Sequence, residues 1–358
     1  MANSPRRERL KVMHVISGDL WAGAEVQAYY TLKNLLTHSD VTAVLLNHGE
    51  LADRLMNCGV TVIILDEQKL SSLTIFLRLA KLIRNDRPNV IHTHRLKENI
   101  LASLANAFTT RTKCVRTVHG DSEHKENLKS KIINLIDNWV GNNLQSKIIV
   151  VSSQLKEVLL HKFRSDRLFV LRNAIDLKEL RQKAQEGAGL TLNPQKTHVG
   201  LVGRLVSVKR ADIFINIAKL IQNKEPDQYQ FHIIGDGPLR EALNEQVKCL
   251  NLENMVIFHG FRTDSPSCIA ALDAVIMCSD HEGLPMVALE ALCLEKLLIS
   301  HQVGGLVELN HPNHILIPNN KPESYVDALL STKTTITEQT REFDINTYIE
   351  NLLNRVYQ

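Results

Sequence analysis

The 358-residue chain reads as an α/β protein built from two doubly wound, parallel-sheet domains. Three observations predict this. Short β-rich runs alternate with helical patterns along the whole sequence, the mark of successive βαβ units. The alternation stops once, across residues 181–197, a polar stretch with two glycines and a proline that reads as a connector. The length also suits two domains of ordinary size, each able to bury its own core. Two such sheets are expected to face a cleft at the carboxyl ends of their strands, where doubly wound folds bind ligands.

The first domain, residues 1–175, opens on the apolar run Lys11–Ser17. Further strands are predicted at Val41–Leu46, Val60–Leu65, Val90–Thr93, Lys113–Val118, Lys147–Val151 and Leu168–Leu171. Helical stretches at 23–37, 72–86, 96–108, 126–144 and 153–162 separate them, with Ser152 placed to cap the last. Residues 176–196 form the expected connector. The second domain, 197–337, carries strands at Thr197–Gly203, Tyr229–Gly235, Met255–His259, Ala274–Cys278 and Leu297–Ser300, with helices at 209–223, 238–250, 285–294 and 321–330. A polar helix over about 338–357 ends the sequence and has room to pack back on the first domain.

Composition narrows the function classes. An apolar content of 44% and a charged content of 23% are those of a soluble globular protein. No apolar run approaches the ~20 residues of a membrane span, and the first ten residues lack an apolar signal core. The six cysteines show no metal spacing and read as reduced core residues of a cytoplasmic protein. The net charge of +3 hides an asymmetry: residues 1–180 hold 26 Lys and Arg against 18 Asp and Glu, whereas 181–358 hold 16 against 21. A basic first half suits an anionic partner such as a lipid headgroup surface, an acidic glycan or a nucleic acid.

The most informative segment is Cys278–Ala291. Glu282 and Glu290 bracket Gly283, Leu284 and Pro285, and Pro285 is a residue favoured at a helix start. Glu290 then stands about one and a half turns into the helix, with Glu282 in the loop that caps it. A helix start offers unpaired N–H groups and the positive end of a dipole to a phosphate. Two carboxylates beside it can accept hydrogen bonds from sugar and ribose hydroxyls. After the first strand of the second domain, Arg204 leaves the sheet and Lys209 is expected to begin the next helix. A guanidinium fork and an ammonium placed there would neutralise a diphosphate. Gly235-Asp236-Gly237-Pro238 and Ser17–Glu25, with Gly23, are turns whose backbone can approach a ligand. Neither has the full dinucleotide spacing. No Asp-x-Asp motif for a divalent metal occurs.

Taken in order, these motifs resemble the retaining glycosyltransferases of family 4, which have the two-Rossmann-domain GT-B fold. The resemblance covers nearly the whole chain. It runs through Gly23-Ala24-Glu25, Val118-His119-Gly120, Val151-Ser152, Asn173–Asp176, Gly203-Arg204-Leu205 with Lys209, Gly235–Pro238, Glu282–Pro285 with Glu290-Ala291, and Val303-Gly304-Gly305 with Glu308. It implies that Arg204 and Lys209 grip the donor's diphosphate and that Glu282 contacts the transferred sugar, with Gly283 and Leu284 offering backbone N–H groups. It further implies that Glu290 binds ribose, that Gly23 supports the phosphate from the first domain, and that His119 faces the sugar and the acceptor. Two departures stand out: Ala22-Gly23 where two glycines are common, and Asn313-His314-Ile315 in place of a glycine-containing turn.

The resulting expectation is a hexosyltransferase. It would use a nucleoside-diphosphate sugar as substrate, with no cofactor and no required metal, and act on a glycan or lipid-linked acceptor of surface polysaccharide, lipopolysaccharide or glycolipid assembly. A peripheral contact with an anionic membrane surface fits the charge split, and no nucleic-acid partner is expected. The alternatives are a sugar-nucleotide 2-epimerase of the same fold and a non-catalytic scaffold homologue. Several features point to structure instead. His92 and His94 share a strand face without a third ligand spaced for metal. Leu128, Ile132, Leu135, Ile136 and Trp139 form a stripe expected to pack on the sheet. Arg78, Lys81, Arg84 and Arg87 read as a solvated face, and Asp121-Ser122-Glu123 as an exposed loop.

Overall fold

The computed structural model describes residues 9–120, 128–332 and 343–358. The chain forms two compact units, one of Met1–Ala174 with Ile345–Gln358 and one of Ile175–Asp344. Unit 1 holds a seven-stranded sheet of β1 (Leu10–Ile16), β2 (Ser39–Leu45), β3 (Thr61–Ile64), β4 (Val90–Thr93), β5 (Lys113–Val118), β6 (Lys147–Val150) and β7 (Leu168–Val170). The strands lie in the order β3-β2-β1-β4-β5-β6-β7, every pair parallel. Its helices are α1 (Gly23–Leu35), α2 (Glu50–Asn57), α3 (Ser72–Asp86), α4 (Leu96–Ala107), α5 (Leu128–Asn143) and α6 (Ser153–Leu159). Ser152 caps α6 by accepting from the Leu155 N–H, as its sequence position predicts.

Residues 177–186 of the expected connector are helical, forming α7 (Leu177–Glu186) of unit 2 with Asp176 as its N-cap. Unit 2 continues with β8 (Thr197–Val202), α8 (Ala211–Lys224), β9 (Tyr229–Ile234), α9 (Arg240–Cys249), β10 (Val256–Gly260), α10 (Ser265–Ala271), β11 (Ala274–Met277), α11 (Met286–Cys293), β12 (Leu297–His301), β13 (His314–Ile317) and α12 (Pro322–Ser331). Its sheet runs β10-β9-β8-β11-β12-β13, again all parallel. The pattern of alternation did not reveal α2, α10 or β13, each eight residues or fewer.

Of the predicted helix at 338–357, residues 338–342 lie outside the described part, as does Asp121-Ser122-Glu123. The remainder forms α13 (Ile345–Asn351), which packs on α1, followed by a wider π-wound turn at Leu352–Tyr357. The segment buries Tyr348, Leu352, Val356 and Tyr357 in unit 1.

One packing expectation reverses. Leu128, Ile132, Leu135, Ile136 and Trp139 do not meet the sheet but are 41–77% exposed. The inward stripe of α5 is instead Ile133, Asp137, Val140 and Gly141, also at helical spacing. The fully buried Arg116 of β5 decides the rotation. Its Nη1 donates to Asp137 Oδ1 at 2.7 Å, and its guanidinium lies 4.3 Å over the Phe163 ring. A buried cation must be paired, and Asp137 is the acid on α5 that pairs with it.

Both sheets reverse direction of winding beside their first strand. In unit 1 this switch lies between β1 and β4, in unit 2 between β8 and β11. Loops leaving the carboxyl ends of those strands diverge there and leave a crevice for ligand. In unit 2 the loop after β8 is pinned by the turn after β9: Leu205 N–H donates to Asp236 O at 2.9 Å. Gly235 sits at φ +144°, and a Cβ there would stand 1.9 Å from the Gly203 carbonyl oxygen. Gly235→Ala therefore combines a strained backbone with a backbone clash. It should lower the stability of unit 2 by about 3 kcal/mol, read as a lower urea midpoint at unchanged m-value.

Candidate active site

In unit 2 the sequence-predicted groups lie on the two loops of the switch point. Gly203-Arg204 follows β8, and Ser279 to Pro285 follows β11. Lys209 does not start a helix: it ends a 3₁₀ turn (Ser207–Lys209), and Arg210 takes a left-handed conformation before α8 begins at Ala211. The turn aims Lys209 across the switch. Its Nζ donates to Glu282 Oε1 at 2.5 Å, and Ser279 Oγ donates to the same oxygen at 2.6 Å. The backbones agree with this, since Asp280 N–H donates to Val208 O at 2.9 Å. Arg204 is exposed, and no hydrogen bond or ion pair engages its side chain among the described residues.

Glu282 is not a helix cap. Pro285 takes the N-cap position of α11 with no side-chain cap bond, one residue later than Pro285 at the first helical position would give. The Glu282 carboxylate belongs to Lys209 and Ser279 instead, and its Oε2 accepts no hydrogen bond among the described residues. The Val303-Gly304-Gly305 turn supports this loop from below. Gly304 has φ +57°, a Cβ on it would meet the Glu282 carbonyl oxygen at 1.7 Å, and Gly305 N–H donates to Gly283 O at 2.5 Å. His301 Nδ1 holds the Ser279 carbonyl at 2.8 Å. Ser279 and His301 were not singled out from sequence. The Ser-x-x-Glu spacing was a local signal for the first, but only the β11–β12 pairing reveals the second.

Gly283 and Leu284 lead, buried, into α11, and Glu290 is the fifth residue of that helix. Its carboxyl is 5% exposed, and burial pushes its pKa up to about 7 against the pull of Lys183.

In unit 1, Gly23 is the exposed first residue of α1, whose N-cap Ala22 makes no side-chain cap bond. The loop is anchored by buried Glu25, which pairs with Arg95, and Arg95 Nη1 reaches Asp19 at 2.8 Å. His119 follows β5. It lines a cavity of about 530 Å³ at the carboxyl ends of β1 to β5, with Ser17, His94, Arg95, Glu98, Asn99, Asn134 and Asp137 among its walls. Among its lining residues, Glu98 Oε1 and His119 Nδ1 are buried without a hydrogen-bond partner, as are Nε and Nη2 of Arg116, whose guanidinium lies over the Phe163 ring. Burial also raises the Glu98 carboxyl to about 7 and lowers His119 to about 4. Glu98 escaped the sequence reading because a glutamate in a first helical turn is ordinary.

His92 and His94 are joined by His14, their nitrogens within 4.8 Å of one another and fully engaged by hydrogen bonds to neighbouring side chains. The His92 and His94 rings stack at 4.7 Å and 11°, so their in-plane lone pairs run parallel and do not meet at one point. The arrangement is that of a hydrogen-bonded chain.

The Glu290 shift has a stability consequence. Between pH 4.5 and about 7 the folded chain keeps a proton that the unfolded chain has lost, so stability falls as pH rises through this window and then levels. Glu290→Gln removes the term. The variant should match the parent near pH 4.5 and exceed it by on the order of 3 kcal/mol at pH 8, measured by urea unfolding at both values.

Known proteins agree with this architecture. Residues 182–346 match the family model described as glycosyl transferases group 1, and residues 21–179 match that of glycosyltransferase family 4. A galactosyltransferase of Escherichia coli, UDP-Gal:alpha-D-GlcNAc-diphosphoundecaprenol alpha-1,3-galactosyltransferase, is 26% identical over 90% of this chain and 87% of its own. The poly(ribitol-phosphate) alpha-N-acetylglucosaminyltransferase of Staphylococcus aureus is 24% identical over 53% of this chain and 37% of its own. Among solved structures, Anabaena HepE in complex with UDP superposes with a TM-score of 0.79 at 20% identity, covering 96% of this chain and 98% of that one. The 2-epimerase alternative gains no support from these relatives. With both halves matched and the fold shared, the chain belongs to glycosyltransferase family 4.

Proposed function

We propose that unit 2 binds a nucleoside-diphosphate sugar, that unit 1 receives a glycan or lipid-linked acceptor, and that the sugar is transferred with its anomeric configuration retained. The observation that carries this is the switch point of unit 2, where Lys209 and Glu282 are locked together beside the uncommitted Arg204. Arg204 and Lys209 would hold the diphosphate, with backbone N–H groups of Gly283 and Leu284 leading to the positive end of α11. Glu282 Oε2 would take a sugar hydroxyl, and Glu290 the ribose. The bond from the anomeric carbon to the phosphate oxygen breaks as the acceptor oxygen bonds the same face. The acceptor's proton passes to that departing phosphate oxygen. Charge developing on the diphosphate is stabilised by fixed cations and the helix dipole, the main catalytic contribution.

In unit 1, Glu98 Oε1 and His119 Nδ1 are buried without partners in one cavity, and such groups gain a hydrogen bond from a hydroxylated ligand. The UDP complex of the Anabaena protein and the diphosphoundecaprenol acceptor named for the E. coli relative support a nucleotide-linked donor and a lipid-linked acceptor. They also support a role in surface polysaccharide, lipopolysaccharide or glycolipid assembly. Among UDP, GDP and ADP, at least one should raise the melting temperature. Arg204→Ala should weaken that nucleotide roughly 10-fold or more, and Glu282→Ala should lower kcat on the order of 100-fold. Silence of all three nucleotides, or full turnover by Glu282→Ala, would overturn the reading.

The same reading places unit 1 at a membrane surface. No helix among the described residues is long and apolar enough to cross a membrane. However, α3, α4 and α5 pack in one layer with α4 between the other two, and this layer carries exposed Arg78, Lys81 and Arg84 on α3, Arg87 at its C-cap, and the apolar ridge with Trp139 on α5. Basic residues in one layer with a Trp-bearing apolar ridge suit an anionic bilayer interface. Vesicles containing phosphatidylglycerol should sediment the protein, and phosphatidylcholine vesicles should do so far less. A Leu135→Asn, Trp139→Ser double variant should lose this binding with its melting temperature unchanged, and retention by that variant would exclude α5 as the contact.

A further inference from the structure

Six side chains of unit 1 form one unbroken hydrogen-bonded chain that ends at His119. Thr117 Oγ1 lies 2.8 Å from His92 Nε2, and His92 Nδ1 lies 2.6 Å from the Tyr357 hydroxyl. The same hydroxyl lies 3.0 Å from His14 Nε2. His14 Nδ1 is 3.0 Å from His94 Nε2, and His94 Nδ1 is 3.3 Å from His119 Nε2. Thr117, His92, His14, His94 and Tyr357 are all buried. The elements that bring them together are β1, β4, β5 and the turn after α13, so no local stretch of sequence contains the chain.

Proton counting leaves little freedom. Burial lowers His14 to about 3, His119 to about 4, and His92 and His94 well below the usual imidazole value, so each ring carries one proton. Burial also keeps Tyr357 a phenol. A hydroxyl with one proton donates to one of its two imidazoles and accepts from the other, so Tyr357 forces every bond in the chain to point the same way. Only two patterns remain. If Thr117 accepts from His92, two buried groups are left without a partner among the described residues, the Thr117 hydroxyl proton and the His119 Nδ1 lone pair, whereas the opposite pattern leaves only a proton on His119 Nδ1, facing the cavity. If Thr117 donates to His92 Nε2, then His92 Nδ1 donates to Tyr357 and Tyr357 to His14 Nε2. His14 Nδ1 next donates to His94 Nε2, and His94 Nδ1 to His119 Nε2. The His119 proton then sits on Nδ1, the atom without a partner in the cavity.

We propose that Tyr357 is a positioning residue that, through His14 and His94, holds His119 in the Nδ1–H tautomer, so that His119 meets the acceptor as a hydrogen-bond donor and not as a base. Its consequence for transfer rests on the proposed function, whereas the tautomer does not. The Arg95 guanidinium near His94 and His119 further disfavours an imidazolium and keeps the ring a neutral donor.

Side-chain nitrogen NMR of the ¹⁵N-labelled full chain tests it. The expected parent spectrum shows His119 with a protonated Nδ1 and an unprotonated Nε2. In Tyr357→Phe, which removes one oxygen, the His119 nitrogens should move toward tautomer-averaged shifts. Tyr348→Phe is the control, since Tyr348 lies buried on the same returning segment and bonds Thr31 and Gln27 on α1. It should leave His119 unmoved. A parent spectrum with Nε2 protonated, His119 signals unchanged in Tyr357→Phe, or equal shifts in both variants would overturn the proposal. With a donor and acceptor in hand, kcat of Tyr357→Phe should fall roughly 10-fold at unchanged donor KM. A tautomer shift with kcat unchanged would leave the relay standing and remove His119 from the transfer reaction.

Discussion

The contact between Lys209 and Glu282 is the constraint on which the candidate donor site depends. It ties the loop leaving β8 to the loop leaving β11, the two strands between which the sheet of unit 2 changes its direction of winding. Such loops diverge by topology and would otherwise hold their side chains apart. The ion pair, the Asp280–Val208 backbone bond and the Ser279 hydroxyl draw them together, while Gly304 and Gly305 let a third loop press against the Glu282 backbone. A carboxylate fixed through one oxygen keeps the other for a ligand, and an ammonium held beside it stays ordered at little entropic cost. Arg204 remains outside this lattice, exposed and available to a second anionic group.

Unit 1 solves a different problem. Its inner strands and loops carry three buried histidines where a parallel sheet usually holds only Val, Ile and Leu. Isolated, each would cost several kcal/mol of desolvation. Joined through Thr117 and Tyr357 they satisfy one another, and the chain opens at His119 into a cavity where Glu98 also lacks a partner. A polar chain satisfied along its length and open only at the cavity is what a binding site on this fold requires. The outward ridge of α5 follows from the same economy of burial: Arg116 claims Asp137 for the interior, and the stripe of larger apolar side chains turns to the surface.

Several elements were legible residue by residue. The β4 and β5 ranges read from composition are the observed ones, and α3 runs over the predicted 72–86 because Ser71 caps it and Ile75, Leu79 and Ile83 repeat at helical spacing. The motifs carrying Arg204, Lys209 and Glu282 lie on the loops that the strand alternation assigns to them. Where prediction slipped, local signals conflicted with distant ones. Lys209 ends a 3₁₀ turn because Val208 must reach Asp280. The stripe on α5 faced outward because Arg116 lies on another element. Residues 177–186 are helical despite their polarity: Asp176 caps the helix, Leu180 is its buried apolar anchor, and it packs on α10 within unit 2.

The sequence by itself determined the number of sheets, most of their strands, and the short glycine, proline and acidic motifs, because these depend on periodicity and backbone preference within a few residues. Tertiary structure alone decided which groups meet. The Ser279–Glu282–Lys209 cluster needs β8 beside β11, and the passage from Thr117 through His92, Tyr357, His14 and His94 to His119 needs β1 beside β4 and the returning turn at Leu352–Tyr357 against them. Hydrogen bonds between residues up to 343 positions apart leave no periodic trace in a chain, and which face of α5 is buried depends on a charge that only the fold brings beneath it.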